Sequence, residues 1–447
     1  MIALNPEFRR NLWLELTAHR LLAMPVLLAL VLALVYAASA DKWESVATTA
    51  AVIAGGLLVI WGARSAGASV VEEVRARTWD AQRMSAIGPW AMAWGKLFGA
   101  AAFAWYGGLM ALAVVLAVSP RGWVHSSTKL AALIAAAGLL AQGAACLTGL
   151  AAAQKGITPR TSVGAWLVVL LIVMLGPSLG FLTTEQRPIA WWGHSYGAMN
   201  LVLASTACFA AWAVFGVYRT LCGELQVRTV PWAFGAFALF LTAYVAGFWT
   251  IPGIDLAARG RTALILCGLL VCGTLTYLQL FSERTGVIVF RRVQVRLARG
   301  EWRRALEELP SWTVGFVLTG IFCALGMLLL PAGAFGSLSS SNAALAPLPL
   351  FLLLGRDVCV FLFFSFARRP RRVEGATMFY LALLYVILPW LLKAAGWRGL
   401  AELVLPPALE APGKAAGIAA VHLAAAAALV AWRWRQYQRP APAAQER

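Results

Sequence analysis

Apolar residues in this chain run in long blocks instead of alternating or recurring every third and fourth position. The stretch LLAMPVLLALVLALVYAASA from Leu21 is one example. Alternation marks a half-buried strand and a 3.6-residue period marks a surface helix, whereas an unbroken run of this length marks a helix apolar all round. At 1.5 Å per residue, about 20 such residues cross the ~30 Å hydrocarbon layer of a bilayer. On that window the chain predicts spans near 21–40, 46–69, 97–118, 130–153, 162–182, 197–218, 230–251, 262–281, 312–332, 346–366, 376–395 and 414–434. The expected fold class is an all-α integral membrane protein of about twelve transmembrane helices. Polar positions gather in two longer stretches, about 70–96 and 283–311, each more than a simple connector needs.

Composition agrees with the pattern. Of 447 residues, 61% are hydrophobic and 13% charged, and mean hydropathy is +0.75. A soluble domain carries nearer a quarter charged residues, so a bilayer must serve as solvent here. The net charge of +18 raises the alternative of nucleic-acid binding, which the placement of the charges excludes. With the N-terminus inside, 26 of the 37 Lys and Arg fall on cytoplasmic segments and 9 on outer ones, leaving Arg64 and Arg356 within spans. This is the asymmetry that orients membrane proteins, and with an even number of spans it puts both termini in the cytoplasm. Trp43, Trp123, Trp191, Trp192, Trp249, Trp312, Trp390, Trp397, Trp432 and Trp434 stand near span ends, as headgroup anchors do. The seven cysteines lie almost all in apolar runs with no CxxC and no His at ligand spacing, so they read as core residues and no metal site is expected. No long hydrophilic insertion leaves room for a soluble catalytic domain, and no catalytic residues are assigned.

The first polar stretch, EEVRARTWDAQRMSAIGPWAMAWGK over 72–96, has helix-compatible composition, with Met84, Ile87 and Ala91 spaced for one face. It resembles the coupling helix of the membrane subunits of ABC transporters in the type-2 exporter class. Glu73, Thr78 and Asp80 match the first part of that pattern, Trp90 stands where an aromatic residue is common, and Gly95-Lys96 matches its end. Arg77 replaces the usual Gly, Ala86 the Pro and Gly88 the Ser. FRRNLWLELTAHRLL, ahead of the first span, resembles the family's interfacial helix, with Phe8, Leu12 and Leu16 toward lipid and Arg9, Arg10 and Arg20 toward phosphate headgroups. Residues 183–196 fall where the family carries short re-entrant helices.

The resemblance implies a permease in a bacterial cytoplasmic (inner) membrane that exports a cargo, amphipathic or hydrophobic cargo being compatible with the apolar spans. The chain itself binds no cofactor. It has no GxxxxGK[ST] phosphate loop, so ATP and Mg would be held by separate ATPase subunits, two per complex. Glu73, Arg77, Thr78, Asp80, Arg83, Met84, Ile87 and Trp90 are the docking candidates, in a coupling helix near 72–92. Cutting near residue 225 yields halves 1–225 and 226–447, each expected to hold six spans. The second polar stretch, 283–312, again falls between the second and third spans of its half. It contributes Glu301, Leu306, Pro310 and Trp312 in a Leu-rich stretch ending in Pro-Ser.

Charges inside spans need partners, because a central Arg costs about 2.5–3.5 kcal/mol on insertion scales. Arg64 is expected to reach the inner headgroup layer. For Arg356 an interior partner or polar cavity is expected, its neighbour Asp357 being placed on another face. His422 is expected to be a hydrogen-bonded packing residue. The main alternative function is an ion-coupled secondary transporter of twelve spans, for which Asp357 is the one candidate proton site; a multi-span membrane enzyme is a weaker one.

Overall fold

A computed structural model of the chain describes residues 5–85, 87–118, 124–154, 188–227, 232–249, 256–283, 286–330, 345–367, 373–406 and 411–438. Apart from a hairpin of two short strands, Pro188–Trp191 (β1) and His194–Gly197 (β2), the regular structure of these residues is helical. Nine helices among the described residues are long and apolar enough to cross a membrane, and ten if the bent pair Pro89–Gly99 and Ala102–Val118 is one span. The chain is therefore a multi-pass, all-α membrane protein. Of the expected spans, 162–182 lies outside the described residues. That at 230–251 is a 14-residue helix, Ala233–Ala246, about 21 Å long and too short to cross alone. The expected third span bends by 57°. The described part of 183–196, where the resemblance allows re-entrant helices and a plain interfacial loop serves as well, is a strand hairpin.

The chain divides into two compact units, Met1–Ala190 with His194–Val230, and Trp191–Gly193 with Pro231–Arg447. In the first, helices Pro6–Glu15 (α1), Ala18–Ala38 (α2), Lys42–Arg75 (α3), Trp79–Arg83 (α4), Pro89–Gly99 (α5), Ala102–Val118 (α6), Val124–Gln154 (α7) and Ala198–Glu224 (α8) follow one another. α7 packs against both α3 and α8. Small residues let α3 and α7 approach: a Cβ on Gly149 would lie 2.8 Å from the carbonyl oxygen of Gly67. α2 turns only Met24 and Leu28 inward and leaves Leu22, Val26, Leu30 and Leu34 exposed, a face that only lipid satisfies. α3 runs through a π-helical turn at Gly56–Trp61. Within that turn the carbonyl of Leu58 accepts from the buried Gln142 side chain (3.0 Å), and Gln142 in turn accepts from Trp105 (2.9 Å). Irregular backbone at membrane depth is thereby kept hydrogen-bonded.

The second unit contains Ala233–Ala246 (α9), Leu256–Ser282 (α10), Val287–Ala298 (α11), Trp302–Glu308 (α12), Ser311–Leu329 (α13), Pro347–Ser365 (α14), Val373–Ala394 (α15), Arg398–Val404 (α16) and Pro412–Gln438 (α17). α10 packs on α13, and α14 on α17. Trp312, expected at a span end as a headgroup anchor, is instead core: it is 5% exposed and packs in one apolar cluster with Leu280, Val358 and Phe361.

Both polar stretches contain the same local turn. α3 ends at Ala76, Arg77 takes φ +56°, its N–H bonds the Val74 carbonyl, and the Thr78 N–H bonds that of Glu73. α11 ends at Arg299, Gly300 takes φ +74°, its N–H bonds the Leu297 carbonyl, and the Glu301 N–H bonds that of Arg296. Each is a Schellman termination, with a Trp opening a short helix two residues beyond the left-handed position. A side chain in that conformation costs on the order of 1 kcal/mol, and glycine avoids the penalty. Gly300→Ala should therefore lower stability by about 1 kcal/mol, whereas Arg77→Gly should leave it level or raise it. Thermal unfolding of both variants in detergent checks the sign.

Candidate functional site

The 72–96 stretch is not the single amphipathic helix its composition suggests. The left-handed Arg77 ends α3, the five-residue α4 follows, and Pro89 at the first position of α5 restarts the helix where its missing N–H is no loss. These breaks turn Trp79 and Gln82 inward and leave Arg77, Thr78, Asp80, Met84 and Trp90 exposed. Met84 is 83% exposed. Ile87 is half-buried against the apolar cluster that contains Trp79 and Leu97. Trp90 lies over the ring of Tyr218 with centroids 4.7 Å apart. Arg83 donates to the carbonyl of Glu224 (3.1 Å) and stands 3.6 Å from the carboxylates of Asp80 and Glu224, which ties α4 to the end of α8.

Glu73 differs from the other docking candidates, because its carboxylate is turned away from any partner. Lys96, fully buried, places Nζ 2.5 Å from Glu73 Oε2. Arg10 and Gln82 both donate to Oε1 at 2.8 Å. A second buried carboxylate, Glu7, accepts from Asn11 (3.1 Å) and Arg10 (3.3 Å) and lies 4.0 Å from Lys96 Nζ. The Trp79 ring covers the ammonium at 5.2 Å. Four charges and two amides thus join α1, the end of α3, α4 and the later half of α5.

α1 consequently packs with its polar side inward. Glu7 and Asn11, one turn apart, are its buried residues, while Trp13 and Leu14 face out. Asn5 caps the helix, accepting from the N–H groups of Glu7 and Phe8, and its own amide donates to the Ala91 carbonyl at 2.8 Å. Gly95 and Gly99 admit this helix: a Cβ on Gly95 would sit 2.3 Å from Glu7 Cγ, and one on Gly99 3.0 Å from Asn11 Cβ. Two of the expected headgroup arginines are otherwise engaged, Arg10 by Glu73 and Arg20 by Glu15 at 2.7 Å. Glu7, Asn11 and Gln82 escaped sequence reasoning. The signal available was a Glu and an Asn one turn apart in an otherwise amphipathic helix.

In the second polar stretch, Leu306 and the neighbouring Trp302 are exposed and Glu301 is half-buried, paired with Arg304 (3.2 Å). Pro310 and Trp312 are buried and so support the stretch instead of presenting a surface. Arg296 pairs with Glu308, holding α11 to α12, and Glu283 accepts from the Ser311 N–H (2.7 Å), holding the end of α10 to the start of α13.

Inside the spans, Arg356 and Asp357 do meet, contrary to the expectation that they occupy separate faces. The guanidinium folds back along α14, with Nε donating to Asp357 Oδ1 at 2.9 Å and Nη2 2.8 Å from the same oxygen. Tyr277 from α10 and Tyr385 from α15 donate to Oδ2 at 2.6 and 2.7 Å, and Arg356 lies 4.8 Å from the Tyr385 ring centroid. Both charges are nearly fully buried. The two tyrosines were missed because no spacing in the sequence links them to position 357. His422 is half-buried, and its Nδ1 has no hydrogen-bond partner among the described residues, so the bond expected of it is not made through that atom. Arg64 is exposed on α3.

Removing one member of a buried pair strands the other and costs about 3–5 kcal/mol, whereas removing both costs far less. Glu73→Gln should therefore destabilise by about 3 kcal/mol, with most of that recovered in Glu73→Gln/Lys96→Met, as read by denaturant unfolding in detergent. Tyr277→Phe and Tyr385→Phe each delete one bond to a charged acceptor and should each cost about 1.5–3 kcal/mol in the same assay.

No family model, no curated protein and no solved structure matches this chain.

Proposed function

We propose that the chain is the permease subunit of an ATP-driven exporter of the type-2 ABC class. In this reading it is built as two related halves, forms the transmembrane path, and docks two separate ATPase subunits through its cytoplasmic stretches at 72–92 and 283–312. The observation that carries the reading is the mounting of α4. The short 77–84 segment, with Arg77, Thr78, Asp80 and Met84 exposed, is held by Gln82 on the buried Glu73, which pairs with Lys96 and Arg10, and by Arg83 on the end of α8. A surface helix that merely solvates itself needs no such anchorage. Load applied to α4 passes through Glu73 and Lys96 into the helix leading to α6, and through Arg10 into α1 and the first span.

The matching Schellman turns and following tryptophans, at Arg77–Trp79 and Gly300–Trp302, support the reading of two related halves. Met84 and Trp90 in the first, with Trp302 and Leu306 in the second, are the apolar anchors that a partner's groove would take up. ATP and Mg belong to the partner. An ion-coupled carrier has one observation in its favour, the buried Asp357, but Arg356 and two tyrosine hydroxyls already occupy both of its oxygens.

Affinity purification of the tagged chain from its native membranes should recover an ATPase carrying a phosphate loop, identified by mass spectrometry. Met84→Asp and Leu306→Asp should each lower that recovery about tenfold, the loss of one buried anchor of about 1.4 kcal/mol. Recovery unchanged in the double variant, or cargo transport by the chain without ATP, would sink the reading.

A further inference from the structure

The outward side of α1 takes no part in the buried network. Arg9, Leu12, Trp13 and Leu16 recur at i, i+3, i+4 and i+7 and so form one stripe, about 10 Å from end to end. With Asn5 and Arg10 they line an open groove of about 840 Å³. Trp13 is 79% exposed in it, an expensive placement against water and a favourable one at the headgroup layer. The stripe ends two residues before the first span, Ala18–Ala38, whose exposed Leu22 and Val26 continue the apolar surface. The groove therefore stands at the edge of the bilayer.

Its charges do not cancel. Glu7 and Glu73 are matched by Arg10 and Lys96, and Glu15 by Arg20, which leaves Arg9 without a carboxylate partner among the described residues. One surplus guanidinium beside a Leu–Trp–Leu stripe suits one ligand chemistry: a phosphate at one end and an acyl-glycerol body at the other. A net anionic headgroup neutralises that surplus, whereas a zwitterionic one brings an ammonium of its own.

We propose that this groove is a binding site for an anionic phospholipid. The phosphate sits on Arg9 with Arg10 as second donor, and the glycerol and upper acyl chains lie along Leu12, Trp13 and Leu16. Guanidinium forks fit phosphate oxygens two at a time, which favours arginine here. Arg10 belongs to both the groove and the network, since it is partly exposed and yet donates to Glu73 at 2.8 Å. A phosphate on Arg10 competes with Glu73, so membrane charge reaches the 72–83 segment through one side chain. None of this depends on the transport reading.

The test uses the full chain in detergent, incubated with photoactivatable phosphatidylglycerol or phosphatidylcholine, digested, and mapped by mass spectrometry. Phosphatidylglycerol should label the peptide spanning 5–16 about fivefold over phosphatidylcholine. Arg9→Gln should remove that preference, while Arg9→Lys retains most of it and Arg292→Gln, at an exposed position of α11, leaves it intact. Equal labelling by the two lipids, or a preference that survives Arg9→Gln, overturns the site. Hydrogen exchange over 72–83 should rise on adding phosphatidylglycerol to the unaltered chain and stay flat in Arg9→Gln. A flat response in both overturns the competition at Arg10.

Discussion

An ammonium group cannot be left alone in an apolar interior, and Lys96 is fully buried beneath the Trp79 ring. That one constraint organises one end of the first unit. Glu73 must stand opposite, which fixes the end of α3 against the later half of α5. The remaining carboxylate oxygen then needs donors, and Arg10 and Gln82 supply them. Arg10 comes from α1, so the helix before the first span must lie against α5, and Gly95 and Gly99 make the room. Gln82 comes from α4, so the short helix is drawn in as well. The exposed residues of α4 owe their fixed presentation to a pair that never touches solvent freely.

The second unit solves a similar problem at mid-span by different means. Arg356 and Asp357 are sequence neighbours, so their pairing ties no helices together by itself. The two tyrosine hydroxyls do that, bringing α10 and α15 to a carboxylate on α14. Every acceptor oxygen of Asp357 is used, as a low-dielectric setting demands. The Glu73–Lys96 network is built from long charged side chains, one of them partly exposed. The mid-span cluster is built from short reaches and rigid rings. The first arrangement suits a junction that receives load or responds to lipid, and the second suits a brace.

Backbone irregularity in the spans follows the same rule of complete satisfaction. The π-helical turn in α3 directs the Leu58 carbonyl to Gln142, and Gln142 is held from its other end by Trp105. A Cβ on Gly62 would sit 2.4 Å from the Gln142 amide nitrogen, so the side chain that repairs the turn also needs a glycine beside it. Helix, polar side chain and small residue are selected together because hydrocarbon offers no water to any one of them.

The membrane class and nine of the span positions among the described residues were determined by the sequence alone, since the length of an apolar run is a local property and the bilayer sets the threshold. Glu73, Gly95 and Lys96 were also legible as one pattern, and so were the polar stretches that contain the candidate site. What the pattern could not carry was direction. Glu73 was expected on the outside with Arg77 and Asp80, yet a Schellman turn at Arg77 lies between them and sends it inward. Trp312 looked like a headgroup anchor and is core, because only the packing of α10, α13 and α14 decides which side of the helix end is filled. Arg356 with Asp357, and the distant Tyr277 and Tyr385, became a site only in three dimensions. Burial and ion pairing are decided by which helices meet, and no spacing along a chain of nearly uniform apolar helices encodes that meeting.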